Sequence, residues 1–283
     1  MPLVSVAEII GTARAAGRGV GAFNVIGIEH AEAIVAGAEA ADASVVLQVS
    51  ENCVAYHGAL APIGRAVLAV AEAATVSTAV HLDHATTAEL IQEAVALGFG
   101  SVMYDGSTLS YADNVRATAR ISAWCHDRGA FVEAELGEVG GKDGVHAAGV
   151  RTDPLEAADF ARGTGIDALA VAVGSSHAMV TKDAVLDLDL IRRIRAVVPV
   201  PLVLHGSSGV PDDALDAAIE AGLTKINIAT QLNKVFTAAV RDRLAGDGTV
   251  TDPRRYLAVG REAIAAEVAR LLGVLRASAG SCV

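Results

Sequence analysis

Val76-Ser-Thr-Ala-Val-His-Leu-Asp-His84 is a short apolar run that ends in two imidazoles and a carboxylate. A helical pattern opens directly after it, at Thr86 or Thr87. Strand, polar residues and helix in that order make a βα unit. In a (β/α)8 barrel the edge where strands give way to helices is where active sites are built. Two later stretches repeat the pattern: Ala168-Leu-Ala-Val-Ala-Val-Gly174 delivers His177, and Pro201-Leu-Val-Leu-His205 delivers His205. One histidine after a strand would more often be an ordinary hydrogen-bonded loop residue. Three at equivalent strand ends, His84, His177 and His205, favour a metal site with one open position, and neutral imidazoles suit Zn²⁺.

Working outward, the chain predicts eight strand–helix pairs. The strands are read at Val20–Val25, Ser44–Val49, Val76–Leu82, Ser101–Tyr104, Phe131–Leu136, Ala168–Val173, Leu202–Leu204 and Lys225–Ala229. Between them the spacing predicts helices over 29–41, 62–74, 87–97, 111–127, from 153 onward, 188–197, 211–221 and 231–244. A helix over 5–16 precedes them, with Ser5 and Glu8 forming a capping box. A helix over Pro253–Leu272 lies outside the eightfold count. No linker or composition break divides residues 1–283, so the expected fold is α/β, one (β/α)8 TIM barrel domain with an additional C-terminal helix. An open doubly wound sheet is the alternative. It is disfavoured because no G-x-G-x-x-G opens the first helix.

Composition agrees with this and excludes other classes. The chain has 283 residues, close to the ~250 a single barrel takes. At 52% hydrophobic residues it can fill a large core, and buried parallel strands account for the apolar excess. A net charge of -11 with no basic run disfavours nucleic acid and anionic membranes as partners, and 4% aromatics leave little for base stacking. Three cysteines without metal-like spacing, and no apolar leader, predict a reduced cytoplasmic protein.

Among the remaining candidates, His81 lies inside a strand pattern and reads as a packed, hydrogen-bonded residue. Asp83 reads either as a helix cap or histidine orienter, or as a general acid/base beside the metal. Asp105 and Glu135 also end strands, and Glu133 shares the face of Glu135. These carboxylates would hold a second cation or pair with their neighbours. The small-residue turns Gly206-Ser207-Ser208 and Asn227-Ile228-Ala229-Thr230 follow strands seven and eight, where barrels commonly bind phosphate.

The sequence resembles the class II, zinc-dependent ketose-bisphosphate aldolases, in their tagatose- and fructose-bisphosphate branch. The resemblance spans nearly the whole chain: Gly-Ala-Phe-Asn-Val at 21–25, Gln-Val-Ser-Glu at 48–51, His-Leu-Asp-His at 81–84 and Val-Glu-Ala-Glu-Leu-Gly at 132–137. It continues through Ala-Val-Gly-Ser-Ser-His at 172–177, His-Gly-Ser-Ser-Gly-Val at 205–210, Ile-Asn-Ile-Ala-Thr at 226–230 and Asp-Pro-Arg-Arg-Tyr at 252–256. It implies Zn²⁺ on His84, His177 and His205, Asp83 as proton donor, and Asp105 and Glu135 lining a second cation position. It places a dihydroxyacetone phosphate end on Gly206, Ser207, Ser208, Asn227, Ile228, Ala229 and Thr230. Asn24, Ser50 and Lys182, a backbone contact at Ala178, and Arg254 from a neighbouring subunit complete the implied substrate contacts. A homodimer or homotetramer, and in part of the branch an accessory subunit, are also implied.

Two departures bear on the substrate. The glycine-rich loop reads Gly140-Gly-Lys-Asp-Gly144, where the family's Glu is missing or replaced by Lys142 and Asp143 is the only nearby acid, and Ala178 stands where the family prefers Gly. The alternative function is a non-catalytic subunit that binds a sugar phosphate. A metal hydrolase would want a His-x-His pair on the first strand, and Asn24 has no such neighbours.

Overall fold

A computed structural model describes residues 3–136, 151–176, 179 and 181–277. Its eight described strands are β1 (Val20–Asn24), β2 (Val45–Ser50), β3 (Thr78–Ala85), β4 (Ser101–Tyr104), β5 (Phe131–Glu135), β6 (Ala168–Ala170), β7 (Leu202–Leu204) and β8 (Leu223–Ile228). All run parallel and close in sequence order, with β8 returning to β1 through Ala22 opposite Asn227. The fold is the expected (β/α)8 barrel with a further helix at its C-terminal end.

The described helices are α1 (Val6–Ala15), α2 (Ile28–Ala40), α3 (Glu51–His57), α4 (Leu60–Ala73), α5 (Ala88–Leu97), α6 (Tyr111–His126), α7 (Pro154–Thr164), α8 (Leu188–Val197), α9 (Asp212–Ala221), α10 (Thr230–Gly246) and α11 (Pro253–Val274). Short side chains start several of them. Ser5 Oγ accepts from the Glu8 amide at 3.2 Å, and Asp153 accepts from the Leu155 and Glu156 amides ahead of Pro154 in the first turn. These caps satisfy amides that have no partner within the helix. No single described helix is long and apolar enough to cross a membrane.

α1 lays Val6, Ile9, Ile10 and Ala13 against Val20, Ala22, Val46 and Ala79, and so closes the N-terminal mouth of the barrel. The opposite mouth is left open for chemistry.

Three local readings change. β3 begins later than expected and runs to Ala85, because a bulge shifts the register against β4 between Leu82 and Ala85. β6 ends at Ala170, although Val171 to Val173 stay buried and the Val171 amide still bonds to the Val203 carbonyl at 3.2 Å. A helix also follows β2 directly: Ser50 Oγ accepts from the Cys53 amide at 3.2 Å, and Gly58 in the left-handed region ends the turn.

Candidate active site

At the C-terminal mouth lies a cleft of about 590 Å³. Of the residues singled out in the sequence, Asn24, Ser50, Asp83, His84, Asp105, Gly206, Ser207, Ser208, Asn227, Ala229 and Thr230 line it. Glu51, Thr86 and Ser176 line it as well, unforeseen. Glu51 accepts from both the amide and the hydroxyl of Thr86, at 2.7 and 3.0 Å, which ties the start of α3 to the end of β3.

The β3 bulge places His84. Its φ is 54°, in the left-handed region that non-glycine residues rarely occupy. The cost of that conformation is met by the bonds the ring makes. Nδ1 lies 2.8 Å from Asp105 Oδ2, and Asp105 Oδ1 accepts from the Ser107 hydroxyl at 2.6 Å. An ionised carboxylate only accepts, so Nδ1 is the nitrogen that donates to Asp105. Nε2 lies 4.0 Å from Asp83 Oδ1, and the His84 and His205 rings are 4.7 Å apart between centroids.

His205 is wholly buried beneath the cleft. Its Nε2 lies 3.0 Å from Glu133 Oε1 and its Nδ1 3.0 Å from Glu135 Oε2. Burial opposes charge on this ring. The two carboxylates outweigh burial and push its pKa up to about 9. Without a metal the ring is an imidazolium. Burial likewise opposes ionisation of Asp83, and His84, His205, Lys225 and His81 overcome it, holding the carboxyl below its ordinary range. Asp83 therefore stands ionised beside the histidines, accepting from Asn24 Nδ2 at 2.9 Å and from Asn227 Nδ2 at 3.4 Å.

One ligand atom each from Asp83, His84 and His205 lie within 4.8 Å of one another. Two imidazoles and a carboxylate, with further carboxylates behind the imidazoles, are a donor set that fits a divalent cation. In this arrangement Asp105 and Glu135 face the histidines and act as their orienting partners. His177 and Ala178 lie outside the described residues, as do Gly140 to Gly144.

Next to the histidines sits a cradle of small residues. Gly206 has a φ of 67°, and a Cβ there would lie 2.5 Å from the Ser176 backbone, so the turn needs glycine. Ser207 to Gly209 form a single 3-10 turn against the first turn of α10, where Ser208 Oγ accepts from the Gln231 amide at 3.1 Å. Ile228 is buried at the end of β8 and does not line the cleft. Lys182 pairs with Asp212 at 2.5 Å, and Arg254, its side chain 89% exposed, pairs with Asp252; neither lines the cleft.

The sequence reading left two buried groups without a role. Lys225, inside β8, donates to Glu133 Oε2 and to Asn227 Oδ1, both at 2.8 Å. Gln48, on β2, donates to Asn24 Oδ1 at 3.1 Å. A lysine or glutamine inside a buried strand was the available signal.

The family model described as fructose-bisphosphate aldolase class-II matches residues 4–280. The fructose-bisphosphate aldolase of Geobacillus stearothermophilus is 40% identical over 272 residues, covering 95% of each chain. That of Staphylococcus epidermidis is 39% identical over 268 residues, covering 93% of this chain and 94% of its own. Among solved structures, the YdjI aldolase from Escherichia coli K12 superposes with a TM-score of 0.85 at 28% identity over 98% of both chains. A putative fructose-1,6-biphosphate aldolase from Coccidioides immitis gives 0.87 at 29% identity, over 97% of this chain and 96% of its own.

Proposed function

The chain belongs to the class-II fructose-bisphosphate aldolase family and is a metal-dependent aldolase, and from that premise we propose a substrate, an ion and a set of residue roles. The substrate is a phosphorylated ketose of the fructose- or tagatose-bisphosphate type, split into dihydroxyacetone phosphate and an aldehyde. The ion is Zn²⁺, held by His84 and His205 with His177 as third ligand. Bound there, it supplies Lewis acidity that polarises a substrate carbonyl and stabilises developing negative charge.

The observation that carries this reading is the ionised Asp83 carboxylate, 4.0 Å from Nε2 of His84 and opening onto the cleft. In cleavage Asp83 takes the proton from the C4 hydroxyl. The C4–O bond becomes the aldehyde carbonyl, the C3–C4 bond breaks, and its electron pair passes to the ketone-bearing fragment. That fragment takes up a proton at C3 from solvent to leave as dihydroxyacetone phosphate, while Asp83 gives its proton back to solvent. In condensation Asp83 returns the proton. Gly206 to Ser208 and the first turn of α10 receive the phosphate. The cap residue of that helix, Ala229, offers the first turn no side-chain oxygen; Ser208 takes the Gln231 amide, and the positive dipole end beside it suits an anion. Asn24, Ser50 and Asn227 line the sugar path between.

Asp105 and Glu135 serve as orienters of the ligating imidazoles, with a second cation position between them as the family resemblance implies. The same resemblance supports a cytoplasmic homodimer or homotetramer, in which Arg254, exposed on α11, reaches a neighbouring subunit's substrate. The test is release of dihydroxyacetone phosphate from a panel of phosphorylated ketoses. Cleavage of one member, abolished by a chelator and restored by Zn²⁺, is the expected result. A zinc-loaded protein that binds but cleaves no member would make it a sugar-phosphate-binding subunit.

A further inference from the structure

We propose that Gln48 and Lys225 are positioning residues that fix the two asparagine amides flanking Asp83 with their N–H ends turned onto its carboxylate. The inference rests on the proton-transfer role given to Asp83 above. Asn24 and Asn227 each donate to one oxygen of Asp83. A carboxamide has a donor end and an acceptor end of nearly the same shape. A half turn of either asparagine would bring a carbonyl oxygen against the carboxylate, which has nothing to donate.

What selects the productive orientation lies one layer deeper. Lys225 Nζ meets Asn227 Oδ1 at 2.8 Å, and an ammonium has three donors and no acceptor. Only the oxygen of Asn227 can face it, so the N–H end faces Asp83. On the other side Gln48 Nε2 meets Asn24 Oδ1 at 3.1 Å, and does the same with a neutral amide. Both deep side chains are wholly buried, and Gln48 Oε1 has no hydrogen-bond partner among the described residues. Gln48 therefore occupies an interior position at a desolvation cost while using only its donor end. A buried ion pair is also weak evidence for stability, since apolar residues of like volume often serve as well. Orientation of the layer above accounts for both residues. Glu133 anchors Lys225 with one oxygen and His205 with the other, so the lysine cannot drift from Asn227.

With both amides set, each Asp83 oxygen has a fixed N–H partner and the carboxylate keeps one rotation relative to the substrate hydroxyl. Loss of either deep donor lets an amide turn, and proton transfer slows while substrate still binds.

The test uses three variants of the zinc-loaded full chain, scored for kcat, KM, melting temperature and metal content. Lys225→Met and Lys225→Gln both remove the cation beside Glu133, but only Gln still offers an N–H to Asn227. The expected result is a kcat about tenfold lower for Lys225→Met than for Lys225→Gln, with KM of the two within about twofold. Gln48→Met removes a neutral donor at nearly constant volume, and is expected to lower kcat about tenfold with zinc content unchanged. Equal kcat in the two Lys225 variants, or a Gln48→Met enzyme with unaltered kcat, overturns the proposal. If the Lys225 variants do not fold, Gln48→Met decides it alone. Asp83→Asn run alongside separates the two levels: an active Asp83→Asn enzyme sinks the role of Asp83 itself, whereas an inactive one with unaffected deep variants sinks only the positioning claim.

Discussion

The two mouths of this barrel are built from the same strands, four residues apart on β2 and β3, and have opposite chemistry. Side chains at i and i+2 of a strand share a face, so the interior can be followed in rows. The lowest row sets Ala22 beside Val46 and Val46 beside Ala79, covered by α1. The next sets Asn24 beside Gln48, Gln48 beside His81 and His81 beside Ser101. The top row carries Ser50 and Asp83. Polarity rises from methyls through amides and imidazole to a charged carboxylate. The apolar mouth follows every rule of packing. The polar mouth breaks several, with buried charges, a left-handed His84 and a glycine pressed against backbone. Departures of that kind concentrate at functional sites and are sustained by the structure around them.

If the division holds, damage at one mouth leaves the other's property intact. The largest effect belongs to Asp83→Asn. It removes the proton acceptor and keeps the shape, so kcat for ketose cleavage should fall by about 10²- to 10⁴-fold while thermal unfolding remains cooperative. At the other mouth, Ile10→Ala takes buried methylenes from the plug helix, and denaturant titration should register a loss of about 2–5 kcal/mol. Its kcat per folded molecule should match the parent's. An Ile10→Ala enzyme crippled at full folding would show that the two mouths are not separable.

The apolar mouth was the more legible of the two. Ser5, Glu8 and the apolar spacing of α1 announce a capped amphipathic helix, and eight apolar strand–helix pairs announce a barrel. At the polar mouth the sequence pointed to many of the residues that line the cleft but not to how they are held. His84 reads as a strand-end ligand, yet the bulge that turns it depends on pairing between β3 and β4, which no local pattern encodes. Asp105 and Glu135 could be read as cation ligands or as partners of their neighbours, because a carboxylate at a strand end looks the same in both cases. Only the closed barrel sets them against His84 and His205. Gln48 and Lys225 were given no site role because their partners lie on other strands or two residues along the same one, brought together only by the register and closure of the barrel.

A smaller effect sharpens the comparison at Gly206. An alanine there takes on the left-handed conformation, about 1–2 kcal/mol, and forces the Ser176 backbone aside. Gly206→Ala should therefore lose about 1–3 kcal/mol of stability and raise KM for the phosphorylated ketose, since the Ser207 and Ser208 turn moves with it. A variant that loses stability with KM unchanged would detach this turn from phosphate binding.

The smallest effect is a pH dependence that only the polar interior can produce. Burial, with Lys225 adding to it, holds the His81 pKa down to about 3 from its ordinary 6.5, against the pull of Glu133 and Asp83. Folding keeps this ring neutral where the unfolded chain takes up a proton. Between pH 6.5 and about 3 the unfolded state binds more protons, so stability falls as pH drops through that window. In metal-free protein His205 leaves the window flat near its upper end. Its raised pKa contributes stability that is complete below 6.5 and is lost only as pH climbs toward about 9. Asp83 and Glu133, with lowered pKa values, add their losses further down, below 3.8 and 4.5. His81→Gln retains an amide for Ser101, which the ring meets at 2.7 Å, and removes the titration. Relative to its own value at neutral pH, the variant should retain about 1 kcal/mol more stability than the parent at a pH one unit below 6.5. The row of Ala22, Val46 and Ala79 holds nothing that titrates, so the loss caused by Ile10→Ala should be the same at both pH values. Parallel stability curves for parent and His81→Gln across the window would mean that the barrel interior is open to protons at His81, and the polarity gradient would then describe where residues lie but not how water is kept from them.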